Sequence, residues 1–148
     1  IPISESASRV PPAVEDLLRR YGPRWTHALA INDIYFDHAV QVLARVANPN
    51  YAPVLISAGD GSAAALLRIR SGAFQQGTVA EPLNMQGWQM VDELNRLFAG
   101  VPLSGFVPPV RLLTRESLLN LPDGASVYDP NNGYRGIYRA LWKQGRYP

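Results

Sequence analysis

The sequence predicts an α/β fold, a three-layer αβα arrangement around a mainly parallel sheet. Three observations predict it. Short apolar runs alternate with amphipathic segments of helical period through the first two thirds of the chain. The runs are continuous and do not alternate with polar residues, as expected for strands with both faces covered. Turn-forming residues follow each run.

The elements follow in order. After a polar lead-in at Ser4, Glu5, Ser6 and Ser8, Pro11 and Pro12 are placed to open a helix, because proline suits the first helical turn. Val14, Leu17, Leu18 and Tyr21 then fall on one helical face, and Gly22-Pro23 stops it. Thr26 to Ile31 reads as a buried strand ending in Asn32-Asp33. The next helix turns Phe36, Ala39, Val40, Leu43 and Ala47 inward, and Asn48-Pro49-Asn50 closes it. Pro53 to Ala58 is a second strand, with Gly59-Asp60-Gly61-Ser62 as its turn. Ala63 to Arg70 is a helix stopped by Ser71-Gly72. Gly77 to Ala80 is a third strand, ending at Glu81-Pro82.

Asn84 is expected to cap a longer helix that buries Met85, Trp88, Val91, Leu94, Leu97 and Phe98 and stops at Gly100. Val101 to Pro109 is a proline-rich loop, Val110 to Leu113 a short strand, and Leu118 to Asp123 irregular. Gly133 to Trp142 reads as a terminal helix with Tyr134, Ile137, Tyr138 and Leu141 on one face. The chain is thus divided into residues 1–83, which carry the βα units and a ligand rim, and residues 84–148, a crossover helix, a strand and a C-terminal tail.

Composition bounds the function. The chain has 148 residues, 47% hydrophobic and 18% charged, with a net charge of +2, which is the profile of an ordinary globular domain. Lys143 is the only lysine, and Arg19, Arg20 and Arg24 form the one local basic cluster. A nucleic-acid surface needs more than that. The absence of cysteine excludes disulfides, thiolate catalysis and cysteine-ligated metals. No apolar run is long enough to cross a bilayer. The first residue is Ile1 and not methionine, so the lack of a signal peptide carries no information.

In open α/β sheets, ligands bind beyond the carboxyl ends of the strands. Asn32 and Asp33, then Asp60, then Glu81 stand at those ends. On neighbouring strands they would converge on one rim. Such a rim suits a ligand rich in hydroxyls, because carboxylate oxygens accept from hydroxyls and a carboxamide also donates. Each residue has a plainer reading. Asp33 can cap a helix, Asp60 can be a turn residue, Glu81 can be a solvated loop charge and Asn32 can satisfy local backbone. Joint placement is what favours a site.

Other constellations fail. His27 and His38 lack metal-ligand spacing. Ser62 does not sit in a G-x-S-x-G elbow. Gly59-x-Gly61 lacks the third glycine of a dinucleotide loop, and Asp60 would repel a pyrophosphate. No carboxylate is marked as the raised-pKa acid of a glycosidase. Trp25, Trp88 and Trp142 could stack on a sugar ring, yet large aromatics on helix faces more often serve the core. No cofactor and no metal are expected, and the chain is read as a binding protein, not an enzyme.

The motifs resemble those of the type I periplasmic sugar-binding proteins, the ribose-binding class. Ala28-Leu29-Ala30-Ile31-Asn32-Asp33 looks like the family's A-x-N-D segment. Ser57-Ala58-Gly59-Asp60-Gly61 looks like its V-G-x-D-G turn, and Ile69 to Gly72 with Gly77 to Pro82 like I-x-x-G…A-T-V-A-Q-x. Leu112 to Ser117 resembles L-x-T-x-E-N, and Tyr128 to Tyr134 with Tyr138 and Trp142 resembles a tail found in some members. The resemblance implies a partial periplasmic-binding-protein-like lobe, covering the C-terminal part of a two-lobed clamp. It implies that Asn32, Asp60 and Glu81 contact the sugar, with Tyr35 a further contact just past Asn32. Glu81 departs from the family's glutamine, so it accepts where an amide would also donate.

It also implies the solute-binding component of an ABC importer, a sugar ligand, an ABC permease as partner and a periplasmic location. The effector-binding half of a LacI-type regulator and a periplasmic sugar sensor share the fold and stand as alternatives. An enzyme using Asp60 or Glu81 is the remaining class. In the family the helix from Asn84 to Gly100 packs on the other lobe. The chain is therefore expected to be a fragment, or to associate with a second copy or a separate N-terminal part.

Overall fold

The computed structural model describes residues 1–46, 52–121 and 125–144. Asn48-Pro49-Asn50 and Ala47, expected to end a helix, lie outside the described residues, as does part of the stretch 118–123. The chain divides into two compact units: residues 1–80 with 111–127, and residues 81–110 with 128–148.

The first unit is built on a four-stranded sheet in the order β1-β2-β3-β4. β1 (His27–Ala30), β2 (Val54–Ser57) and β3 (Gln75–Ala80) run parallel, and β4 (Arg111–Thr114) pairs antiparallel with β3. The α/β class and the mainly parallel sheet are as expected.

Helices α1 (Ser6–Tyr21) and α2 (Ile34–Val46) pack together, and α3 (Ala63–Ser71) lies on β3. Val10 and Val14 of α1 meet Phe36, Ala39, Val42 and Leu43 of α2 over Leu55 of β2. Burying that much aliphatic surface at about 25 cal/mol per Å² is the main force holding the helix pair on the sheet. Ser62 accepts from the Ala65 amide and caps α3, and Gly72 ends it in the left-handed conformation.

Two local readings change. α1 does not begin at the prolines: Pro11 and Pro12 lie inside a helix that starts at Ser6. Val10, one turn before Val14, is buried against α2, and that tertiary packing outweighs the missing proline N–H groups. α5 (Arg115–Leu118) was not foreseen; it is a single turn made by a capping box between Thr114 and Ser117.

β4 is buried on one face only, and β1, at the other edge, is at most half-buried. Leu29 is 82% exposed and Leu112 56% exposed, while Leu55 and Leu113 are fully buried on the inner face. The two-sided apolar character of the strands is real, but in this chain it is matched by packing on the inner side alone at these positions.

The second unit pairs α4 (Leu83–Phe98) with α6 (Tyr134–Gln144). Asn84 does not cap α4; it lies inside the helix, and no side chain caps the start at Pro82. The buried face of α4 also differs from the expected one. Met85 and Asp92 are buried, whereas Val91, Leu94, Leu97 and Phe98 are exposed. Asp92 explains the choice of face: its carboxylate accepts from Trp142 Nε1 at 2.8 Å and from Arg96 Nε at 3.0 Å. Trp88 stacks on Trp142 at 5.3 Å and meets Tyr134 edge-on at 6.1 Å. Burial pushes the Tyr134 and Tyr138 phenols above the usual tyrosine value. Among the described residues, no helix is long and apolar enough to cross a membrane.

Candidate functional site

Parallel pairing puts the carboxyl ends of β1 and β2 side by side, with Ala30 opposite Ser57 and the Ala58 amide donating to the Ala30 carbonyl at 2.8 Å. The two turns that follow therefore start from one level. Asn32 stands two residues beyond β1 and Asp60 three beyond β2.

Asn32 folds back on its own chain. Its Oδ1 accepts from the Ile34 amide at 2.9 Å, an Asx turn that opens α2. That bond fixes which end of the carboxamide points away, and its Nδ2 donates to Asp60 Oδ2 at 2.8 Å. The pair is half-buried. One Nδ2 hydrogen of Asn32 and the Oδ1 of Asp60 have no hydrogen-bond partner among the described residues, so the pair offers one donor and one acceptor side by side. A hydroxyl, or two adjacent oxygens of a polyol, matches that pattern.

The Asp60 turn is held by close approach. Asp60 has φ +70° and Gly61 φ +69°, the left-handed region. An added Cβ at Gly59 would lie 2.5 Å from the Ile31 carbonyl oxygen, and one at Gly61 would overlap the Ala80 side chain. The glycines thus let the turn seat against the ends of β1 and β3, which no larger residue permits.

Asp33, expected as a helix cap, sends its side chain elsewhere. Its backbone carbonyl starts α2, accepting from the Phe36 and Asp37 amides. Its carboxylate is fully buried on the inner face of the sheet. There it accepts from Ser57 Oγ, from Gln75 Nε2 at 2.8 Å, from the Ser62 amide at 2.9 Å and from Thr78 Oγ1 at 3.2 Å. A shift in register between β2 and β3 makes this arrangement. Leu55 pairs with Gln75 but Ile56 pairs with Gly77, so Gln76 is extra, and Gln75 and Thr78 reach the same face. Ser57, Gln75 and Thr78 were missed in the sequence. The available signal was one or two polar residues inside strands otherwise read as apolar.

The remaining expected contacts, Tyr35 and Glu81, have partners of their own. The Tyr35 hydroxyl donates to the Ile1 carbonyl at 2.6 Å, and its ring packs on the α1–α2 core. It helps to line an apolar groove of about 410 Å³ with Trp25 and Leu29. Glu81 belongs to the second unit, where it accepts from Gln86 Nε2 at 3.1 Å. Among the described residues, no three His, Cys, Asp or Glu side chains are grouped to hold a metal ion.

No protein-family model and no curated protein matches the sequence. Among solved structures, the crystal structure of a galactofuranose binding protein has the same fold, with a TM-score of 0.62 at 14% identity. The match covers 95% of this chain and 43% of that one, so the chain spans less than half the length of its structural neighbour. At that identity the likeness is one of fold.

Proposed function

We propose that this chain contributes one wall of a sugar-binding site, and that it does so as part of the solute-binding component of an ABC importer. The observation that carries the reading is the Asn32–Asp60 pair. It stands beyond the carboxyl ends of two adjacent parallel strands and turns one N–H and one carboxylate oxygen outward. The fold shared with a galactofuranose binding protein supports the ligand class, and the motifs around Asn32 and Asp60 support the same reading independently.

In this reading Asp60 accepts from a sugar hydroxyl and Asn32 donates to a neighbouring oxygen. One lone pair of the Asn32 oxygen is engaged by the Ile34 amide. Glu81 and Tyr35 are kept as further proposed contacts, each to be tested by itself. The permease partner, the periplasmic location and association with a second copy or an N-terminal part belong to the same proposal. Nothing in the pair calls for turnover; it binds and orients.

The test tolerates weak binding, since half of a clamp supplies only part of the contacts. Amide resonances of the chain are followed while millimolar monosaccharides are added, pyranoses and furanoses alike, galactofuranose among them. The expected result is saturable movement of the Asn32 side-chain and Gly61 backbone signals with at least one sugar. The absence of any such movement across the panel overturns the reading. Hydrolysis of a glycoside that is lost in Asp60→Asn would replace it with an enzyme.

A further inference from the structure

Adjacent residues Asn32 and Asp33 part company: one side chain faces outward to Asp60, the other enters the interior. We propose, resting on the binding reading above, that Asp33 is a positioning residue for the rim. Its buried carboxylate locks the Gly59–Ser62 turn, which presents Asp60, to the turn that presents Asn32.

The geometry carries this. Every group that reaches Asp33 can donate. Oδ1 receives Ser57 and Gln75, and Oδ2 receives the Ser62 amide and Thr78. The Ser62 amide is two residues past Asp60. On the other side of the same turn, Thr78 Oγ1 lies 3.2 Å from the Gly59 carbonyl oxygen. The single Thr78 proton serves either Asp33 Oδ2 or the Gly59 carbonyl, so the Asp60 segment is held chiefly by the Ser62 amide on Asp33. Behind it, Arg68 Nε donates to Gln75 Oε1 at 2.9 Å, and Arg68 Nη1 pairs with Asp37 at 2.5 Å. The chain Arg68–Gln75–Asp33 places a cation two links from the carboxylate.

An aliphatic side chain of similar size would fill this space and hold the core. It could not catch the Ser62 N–H, which has no other partner among the described residues. Asp33 therefore aligns two turns, a task that core packing alone does not require.

The test needs no ligand. In Asp33→Asn the carboxamide is expected to keep its oxygen on Gln75 Nε2 and Ser57 and to turn its NH₂ toward the Ser62 N–H. Exchange of the Ser62 amide hydrogen is expected to quicken about tenfold or more, with Leu43 and Leu55 amides keeping their protection. The Asn32 side-chain signals are expected to shift. Adding Gln75→Glu is expected to draw the NH₂ to the new carboxylate, to return the oxygen to the Ser62 N–H and to keep a partner for Arg68. The double variant is expected to restore both readouts. Unchanged exchange and unchanged Asn32 signals in a folded Asp33→Asn protein overturn the proposal, as does uniform loss of core protection that Gln75→Glu does not repair.

Should Asp33→Asn fail to fold, Thr78→Val removes the hydroxyl that lies within reach of both Asp33 Oδ2 and the Gly59 carbonyl, at nearly constant volume. Displaced Asn32 and Gly61 signals support the proposal, and undisturbed ones overturn it. A chain that meets these expectations but answers no sugar loses the binding reading and keeps the role of Asp33 in aligning the turns. A chain that binds sugar is expected to lose affinity in Asp33→Asn and regain it in the double variant.

Discussion

Asn32 Nδ2 donates to Asp60 Oδ2 across 2.8 Å, joining residues 28 positions apart in sequence. The bond is possible because Asn32 Oδ1 is already held by the Ile34 amide, which fixes the orientation of the carboxamide. It leaves Asp60 with one carboxylate oxygen turned outward. Several measurable consequences follow from how this turn is built and from the second unit.

Asp60→Asn is the informative substitution at the rim. Asparagine tolerates the left-handed backbone at φ +70°, so the turn survives. One charged acceptor is lost, a change worth about 1.5–3 kcal/mol. Affinity for the responding sugar is expected to fall by about tenfold or more, read by titration, with little change in the urea midpoint.

Gly61→Ala tests the close approach. Its Cβ would overlap the Ala80 side chain, at a backbone angle that alanine avoids. A loss of about 1–3 kcal/mol is expected in urea unfolding. Gly87→Ala is the contrasting change. It lies within α4 with nothing near the added Cβ, so a gain of about 0.5–1 kcal/mol is expected there.

Trp142→Phe removes the indole N–H from Asp92, whose carboxylate is 2% exposed, and leaves Arg96 as its partner. The second unit is expected to lose about 1–3 kcal/mol. The thermal melt followed by near-ultraviolet circular dichroism reads the change, since the indole stacked on Trp88 is replaced by a smaller ring.

Glu93 couples the loop after α4 to pH. Hydrogen bonds from the Ser104 hydroxyl and amide hold its carboxyl below the usual glutamate value. A depressed folded value means that this contribution is present above the unfolded pKa and is lost as pH falls through the folded one. Ser104→Ala is expected to move the Glu93 titration upward in a carboxyl NMR titration. An unmoved titration would show that the loop contact does not form in solution.

Much of the fold was legible in the sequence because it is local. The 3.6-residue period marked α2, α3, α4 and α6, and the apolar runs marked β1 to β3. Asn32 and Asp60 were legible as strand-end residues because a turn of polar side chains after an apolar run is itself a local signal. The starts of α1 and α4 were misplaced because capping residues compete with packing, and Val10 and Met85 decided the outcome by burial.

The sequence by itself determined the α/β class, the order of the elements and the polar residues that stand past the strands, since these rest on period, turn chemistry and chain order. Only the tertiary structure decided which of those residues meet. Pairing β1 with β2 joined Asn32 to Asp60, and one extra residue in β3 brought Gln75 and Thr78 to the face where Asp33 is buried. A strand's two faces differ by a single step in register, and that step is set by pairing between segments far apart in the chain.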